Sequence, residues 1–453
     1  MKLQIKVHRK ILLAIICIAI MTFASGVFYA IAQSSPLNVV TINAGAYPDA
    51  PSYTIYAAGQ GNYYAKDAYG SVDFTSTNAA NVINSVFNAL PNNPTSQQIV
   101  KFEGNFVLSR TIDVPNDTVI DLSDAYISLA NGVNGDIFYM NNAHCVDLIK
   151  GTINGNGANQ NAGSGIDFFR HSHDCSVIGT KMLNIWGDCV LLNCYDYDIR
   201  VEDCNLSSSV QGSGIYELTG GNNNLFSGNC ITNSAQNGIA ISTTCWGDDV
   251  ENNYVAHNSW AGIIVYSGCS KEIITNNRVM DNIKEGIILN SNVASCTVSD
   301  NLCEDNDYNN QNFYAGLVCT SASSYNTFEG NVADTTTGTS RQTYGVNINT
   351  ADCLSNTIID NVLYNNKDGA IRDNGTSTRI YSNAGYNALG KLANCWVNQS
   401  LSYLVDSGGN ITFNSGYTYN NEGSPKIAYI SGDTVSSIIV DVVTLYTSAG
   451  NHG

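Results

Sequence analysis

The sequence predicts an all-β solenoid, a parallel β-helix of about ten coils stacked along one axis. Two columns of residues, each coil being 22–30 residues long, predict it. A glycine-led apolar anchor recurs at Ile166, Val190, Ile215, Ile239, Ile263, Ile287, Leu317, Val346 and Ala370, in steps of 24, 25, 24, 24, 24, 30, 29 and 24. A second column runs Gly151, Thr180, Cys204, Asn229, Asn253, Asn277, Asn301, Asn331, Asn361 and Asn383 at closely matching steps. Between the columns lie short β-branched runs such as GIIVY and EIITNNRV, of strand length and never long enough for an amphipathic helix. That excludes helical solenoids and leucine-rich repeats, and makes each repeat one turn of a helix of strands.

The elements follow in chain order. Residues 1–32 join a basic stretch (Lys2, Lys6, Arg9, Lys10) to an apolar run ending Ala30-Ile31-Ala32, the pattern of a secretory signal or, uncleaved, of a membrane anchor. Residues 33–75 form an N-terminal extension and first strand. In STNAANVINSVFNALP, Val82, Ile83, Val86, Phe87 and Leu90 share one helical face, with Ser76 or Thr77 as cap and Pro91 as stop. This helix, at about 78–90, is expected to plug the open end of the coils, which fill the rest of 76–390. Residues 391–453 are strand-rich but out of phase with the coils, and read as a small β cap or appendage. The stretches EDNDYNNQNFY and ADTTTGTSRQTY lengthen two coils and are expected to project as loops from one side.

Composition fits the stacking. No proline lies between Pro115 and Pro425, as an uninterrupted inter-coil hydrogen-bond network requires. The chain holds 59 asparagines. Asparagine tolerates the left-handed backbone of a tight turn, and its amides can bond from coil to coil. Of 14 cysteines, Cys17 lies in the leader and no pair has CxxC spacing, so the rest read mainly as small buried residues, with one or two disulfides open to an exported chain. Net charge is −18, and −22 without residues 1–32, a surface that repels nucleic acid. Acidic pairs such as Asp196/Asp198, Asp248/Asp249 and Asp305/Asp307 leave Ca2+ as a possible cofactor. Oligomeric state is not legible, and contact with membrane is expected only through the N-terminal segment.

Three stretches, YYAKDAYGSVDFTSTNAANVINSVFNALP, VKFEGNFVLSRTIDVPNDTVIDLSDAYI and KGTINGNGANQNAGSGIDFFRHSHDCSVIGTKMLNIWGDCVLL, with the asparagine repeats, resemble the pectate-lyase-like superfamily of right-handed parallel β-helices over residues 60–390. The resemblance implies a right-handed coil and an extracellular or cell-surface protein acting on a polysaccharide, as lyase or glycoside hydrolase. The same superfamily includes non-catalytic surface proteins for glycan binding or envelope structure. Polygalacturonase motifs are only partly kept. Ser164 stands for the first aspartate in GSGIDFF, Gly187 and Asp188 for the aspartate pair in WGDCVLL, and Ser213 for the histidine in GSGIYEL.

The candidate residues follow. Asp167 and Glu217 lie one coil before and after Asp188, near the same strand face, as paired-carboxylate catalysis needs. In IDFFRHSHD, Arg170 or His171 suits a lyase base, and an extended chain would turn His171 and His173 to one side, with His173 and Asp174 as metal ligands. Trp186, Trp246, Trp260 and Tyr266 are candidates to stack on sugar rings. Each also has a plain reading as turn or packing residue.

Overall fold

A computed structural model describes residues 50–386 except 60 and 336–340, together with six two-residue strands between 404 and 447. Expectations for residues 1–49 lie outside the described residues. Within 391–453 only short pairings are described, such as Leu404–Val405 antiparallel to Ile411–Thr412. Among the described residues no helix is long and apolar enough to cross a membrane.

The chain winds into a right-handed parallel β-helix of about twelve turns, two more than the ten or so expected. Each coil gives one strand to an eleven-stranded sheet, then two to a second sheet of 23 strands, which bends into two columns. The coil after Gly165 is representative: Ile166–Phe169 in the first sheet, His173–Ile178 and Lys181–Leu183 in the second. The anchors are register partners from coil to coil, Ile166↔Val190↔Ile215↔Ile239↔Ile263↔Ile287↔Leu317↔Val346. The last step differs from the expectation: Val346 pairs with Ile371, not Ala370. Within the two large sheets only the lead-in is antiparallel, where Tyr53–Ala57 and Val72–Ser76 flank Tyr63–Asp67.

Alternation along each strand separates inside from outside. In the first sheet the first and third residues face inward, as Ile166 and Phe168 do, and join one core running from Ile55 to Ala370. Each fully buried Val, Leu or Ile there contributes roughly 1.5–3 kcal/mol. Helix α1 (Ala79–Ala89) buries Ala79, Ala80, Val82, Ile83, Val86 and Phe87 in this same core. Its N-cap is Asn78, one residue past the expected Ser76 or Thr77, and Asn78 spends its side chain on Ser109 rather than on the helix.

Asparagines occupy three columns of coil-to-coil hydrogen bonds. Asn229, Asn253, Asn277, Asn301, Asn331 and Asn361 each donate a backbone N–H to the side-chain oxygen of the next, ending at Asn383, over 2.9–3.0 Å. Their side-chain NH2 groups donate to the same oxygen and to an earlier carbonyl, as Asn277 does to Asn301 and to Val250. Asn258, Asn282 and Asn306 make a second such column. The third contains Asn224, Asn326 and Asn356 and is interrupted by acids. Asn224 N–H donates to Asp248 at 2.8 Å, and Asp248 N–H to Glu272 at 2.7 Å.

The expected reason for the long asparagine column needs correction. Left-handed backbone falls on the residue before each column member: Asp203, Gly228, Asn252, Asn276, Asp300, Gly330 and Asp360. The column residues themselves serve through their amides. The cysteines follow the packing expectation. Twelve described cysteines are all free, nine of them buried. Both long insertions fall in the turn that enters the eleven-stranded sheet. The first is tied down by Asp307, whose carboxylate accepts N–H bonds from Gln311 and Asn312 at 2.8 Å.

Candidate functional site

Outward-facing residues of the eleven-stranded sheet form the floor of the candidate site. Asp167 stands at the second position of its strand, between Tyr139 below and Leu191 above. It is 6% exposed, and its Oδ1 has no hydrogen-bond partner in the protein. Burial, with Asp136, Asp196 and Asp188 nearby, pushes its pKa up to about 8.

Asp188 lies two residues before its strand, in the turn that enters the sheet, and Asp136 holds the same place two coils earlier, before Phe138. Each accepts a backbone N–H from the next coil: Ser213 to Asp188 at 2.6 Å and Ser164 to Asp136 at 2.7 Å. Burial raises both. Asp188 reaches only about 6, because the Ser213 bond stabilises its ionised form. Asp196, in the turn leaving the sheet, accepts from Ser172 N–H at 2.7 Å and is raised by burial to about 7. Burial thus raises Asp167 further than Asp188, the direction of split that acid–base chemistry uses.

Aromatic and cationic groups border these carboxyls. The Arg170 guanidinium lies 4.7 Å from the Phe169 ring centre. Tyr216, on the outward face, hydrogen-bonds the Tyr266 hydroxyl at 2.7 Å. Trp186 and Trp260 stand in the turn entering the sheet, and Trp246 begins the column after the turn leaving it, so the three tryptophans bracket the sheet rather than converge. Lys284 covers Trp260 at 4.2 Å and Lys271 lies 5.9 Å from Trp246.

Two expected groupings are corrected. Glu217 does not share the face of Asp167 and Asp188. It is the third residue of its strand, paired with Leu192 and Ile241, and points into the core. There Asn224 Nδ2 donates to it at 2.9 Å, its Oε2 is unpartnered, and burial, Asp248 and Glu272 raise its pKa well above the usual range. Nor is RHSHD extended. Arg170 and His171 have φ of 57° and 65°, and the buried Ser172 between the histidines bonds Met140 O at 2.8 Å. His171 stacks on Tyr195, whereas His173 stacks on Tyr197 and His144 and bonds Asp174 at 2.8 Å. Among the described residues, the one group of three or more His, Cys, Asp or Glu brought within 4.8 Å as metal donors is Asp117, His144 and Cys145.

An anchor column that starts at Ile166 does not reach Asp136. One coil earlier, Phe138 continues it, and Asp136 then falls where Asp188 does. A column from Ile166 does not reach His144 either, the register partner of His173.

With this geometry in place, comparison with known proteins shows what the chain is similar to. A family model described as "Periplasmic copper-binding protein (NosD)" matches residues 116–313. No curated protein matches in sequence. Among solved structures, the A-module of mannuronan C-5 epimerase AlgE6 of Azotobacter vinelandii is similar at 12% identity and a TM-score of 0.52, over 68% of this chain and 94% of that one. The full-length tailspike protein 2 from an Escherichia coli O157:H7 bacteriophage is similar at 11% identity and 0.52, over 72% of this chain and 45% of that one. By fold the chain is a right-handed parallel β-helix, as these structures are.

Proposed function

We propose that this is an exported, envelope-associated protein that binds a polysaccharide along the outward face of the eleven-stranded sheet, with Asp167 and Asp188 as an acid–base pair of glycoside-hydrolase type. The observation that carries the reading is the placement of two neighbouring carboxyls on the outward side of one sheet, one with an unpartnered oxygen and one held by a backbone donor. Asp167 is raised to about 8 with a free oxygen, and Asp188 is held to about 6 by a backbone donor. Asp167 then donates a proton to a leaving oxygen while Asp188 activates water. Tyr139, Phe169 and Tyr216 supply apolar faces for sugar rings, and Arg170 a cation for an acidic sugar. The epimerase and tailspike likenesses support the fold on which such a face is built. The periplasmic family description supports an envelope location.

The test is incubation with a panel of neutral and uronate polysaccharides. Hydrolysis releases reducing ends without new ultraviolet absorbance, and Asp167→Asn and Asp188→Asn each lower that rate at least about 100-fold. Unsaturated, ultraviolet-absorbing ends would assign a lyase instead. Binding without either product would leave a non-catalytic glycan-binding face.

A further inference from the structure

The turn leaving the eleven-stranded sheet places the same two positions on every coil. The first holds Asn116, His144, His173 and Tyr197, whose backbones pair in register from His144 upward. The second holds Asp117, Cys145, Asp174 and Asp198, all left-handed, with φ between 52° and 55°. Stacking therefore makes two parallel strips. One is of rings, His144 to His173 at 5.7 Å and His173 to Tyr197 at 4.8 Å. The other is of carboxylates with one thiol among them.

At its lower end the two strips converge. The donor atoms of Asp117, His144 and Cys145 lie within 4.8 Å of one another, and His144 Nδ1 is 3.8 Å from Asp117 Oδ1. All three side chains are half-buried, so the site is reachable from solvent. The backbone beneath is fixed: Asp117 N–H donates to His144 O, and Thr118 N–H to Cys145 O, each at 3.1 Å. Beside them opens a depression of about 420 Å³ that Asp147 and Asp174 also line.

We propose that Asp117, His144 and Cys145 bind a transition-metal ion of the zinc type. Zinc takes sulfur at about 2.3 Å and nitrogen or oxygen at about 2.0–2.2 Å, so tetrahedral donors sit about 3.5 Å apart. The His144–Asp117 separation already approaches that spacing. A thiolate and an imidazole select a borderline-soft ion over Ca2+ or Mg2+. Asp117 and Cys145 both line the depression. His173 and Asp174 are not ligands in this arrangement; the His173 ring packs on His144 and fixes its orientation. The site is independent of the glycan-facing carboxyls, since none of its three ligands belongs to that group.

The test titrates the purified, reduced, metal-stripped chain with Co2+, then Zn2+. Expected is a thiolate-to-cobalt charge-transfer absorption saturating at one equivalent and removed by Zn2+. Zn2+ should also slow alkylation of Cys145, mapped by mass spectrometry, at least about 10-fold while leaving unchanged that of Cys194, a free, half-buried cysteine outside the metal group. Cys145→Ser and His144→Ala should lose the band with unchanged circular dichroism, and Cys194→Ser should keep it. A folded wild-type chain with no such band, a band that survives Cys145→Ser, or Cys145 alkylation indifferent to Zn2+ would overturn the proposal.

Discussion

Asn277 shows what a single side chain does in this fold. Its oxygen accepts from Asn253 N–H at 3.0 Å and from Asn253 Nδ2 at 2.9 Å, and its own Nδ2 donates to Val250 O and Asn301 Oδ1. Alanine there orphans several buried groups, each costing roughly 1–3 kcal/mol. Asn277→Ala should therefore lower stability by at least about 2 kcal/mol in denaturant unfolding; a change under about 0.5 kcal/mol, the size of an ordinary surface substitution, would reject the role given to the column. Asp248 is the natural contrast. It accepts from Asn224 as an asparagine would, but its Oδ2 is unpartnered, and burial raises its pKa to about 7, with Glu272 and Glu217 also raised. A carboxyl with a folded value above its unfolded one keeps its proton in the folded state after the unfolded chain has lost it. Stability should thus be fully present below about pH 4 as far as this group is concerned, and fall as pH rises towards 7. Asp248→Asn restores an amide to the column. It should flatten that decline and raise stability at pH 8 by on the order of 1–3 kcal/mol, measured by unfolding at pH 5 and pH 8. Equal pH dependence in both proteins would contradict the account.

At the scale of the element, the coil is the unit that the sequence makes legible. Anchors from Ile166 to Val346, the asparagine column and the absence of proline all reappear as register, because stacking forces chemically equivalent positions into line. What stayed hidden was which side of a short strand faces in. Asp167 and Glu217 look alike in sequence, yet one is the second and the other the third residue of its strand, which sends them to opposite faces. Turns hid more. The left-handed φ of Arg170 and His171 separates two histidines that an extended chain would align, and brings His173 onto His144 instead. The coil as a unit is open to a direct test. Deleting residues 277–300 joins Asn276 to Asn301, and so leaves Asn253 followed by Asn301, Asn258 by Asn306, and Ile263 by Leu317. The shortened chain should keep a β-type circular dichroism spectrum and a cooperative melt. Deleting only 277–288 puts strands against turns, and that chain should fail to fold; folding of the half-coil deletion would contradict the register described here.

For the molecule as a whole, the column of coils presents three long faces, and one of them is proposed to bind the glycan. The outward face of the eleven-stranded sheet carries Tyr139, Asp167, Phe169 and Tyr216, with the raised carboxyls Asp136 and Asp188 along its edge. The second sheet presents scattered side chains such as Tyr126 and Tyr381, 37% and 46% exposed. Fold likeness places the chain among β-helices, but the choice of face rests on these residues. It is tested most directly by oxidative footprinting, with and without a saturating oligosaccharide of whichever glycan binds. Tyr139 and Phe169 should be protected by the ligand, with Tyr126 and Tyr381 oxidised at unchanged rates. Protection of Tyr126 or Tyr381 with Tyr139 and Phe169 unaffected would place the glycan on another face and contradict the central claim.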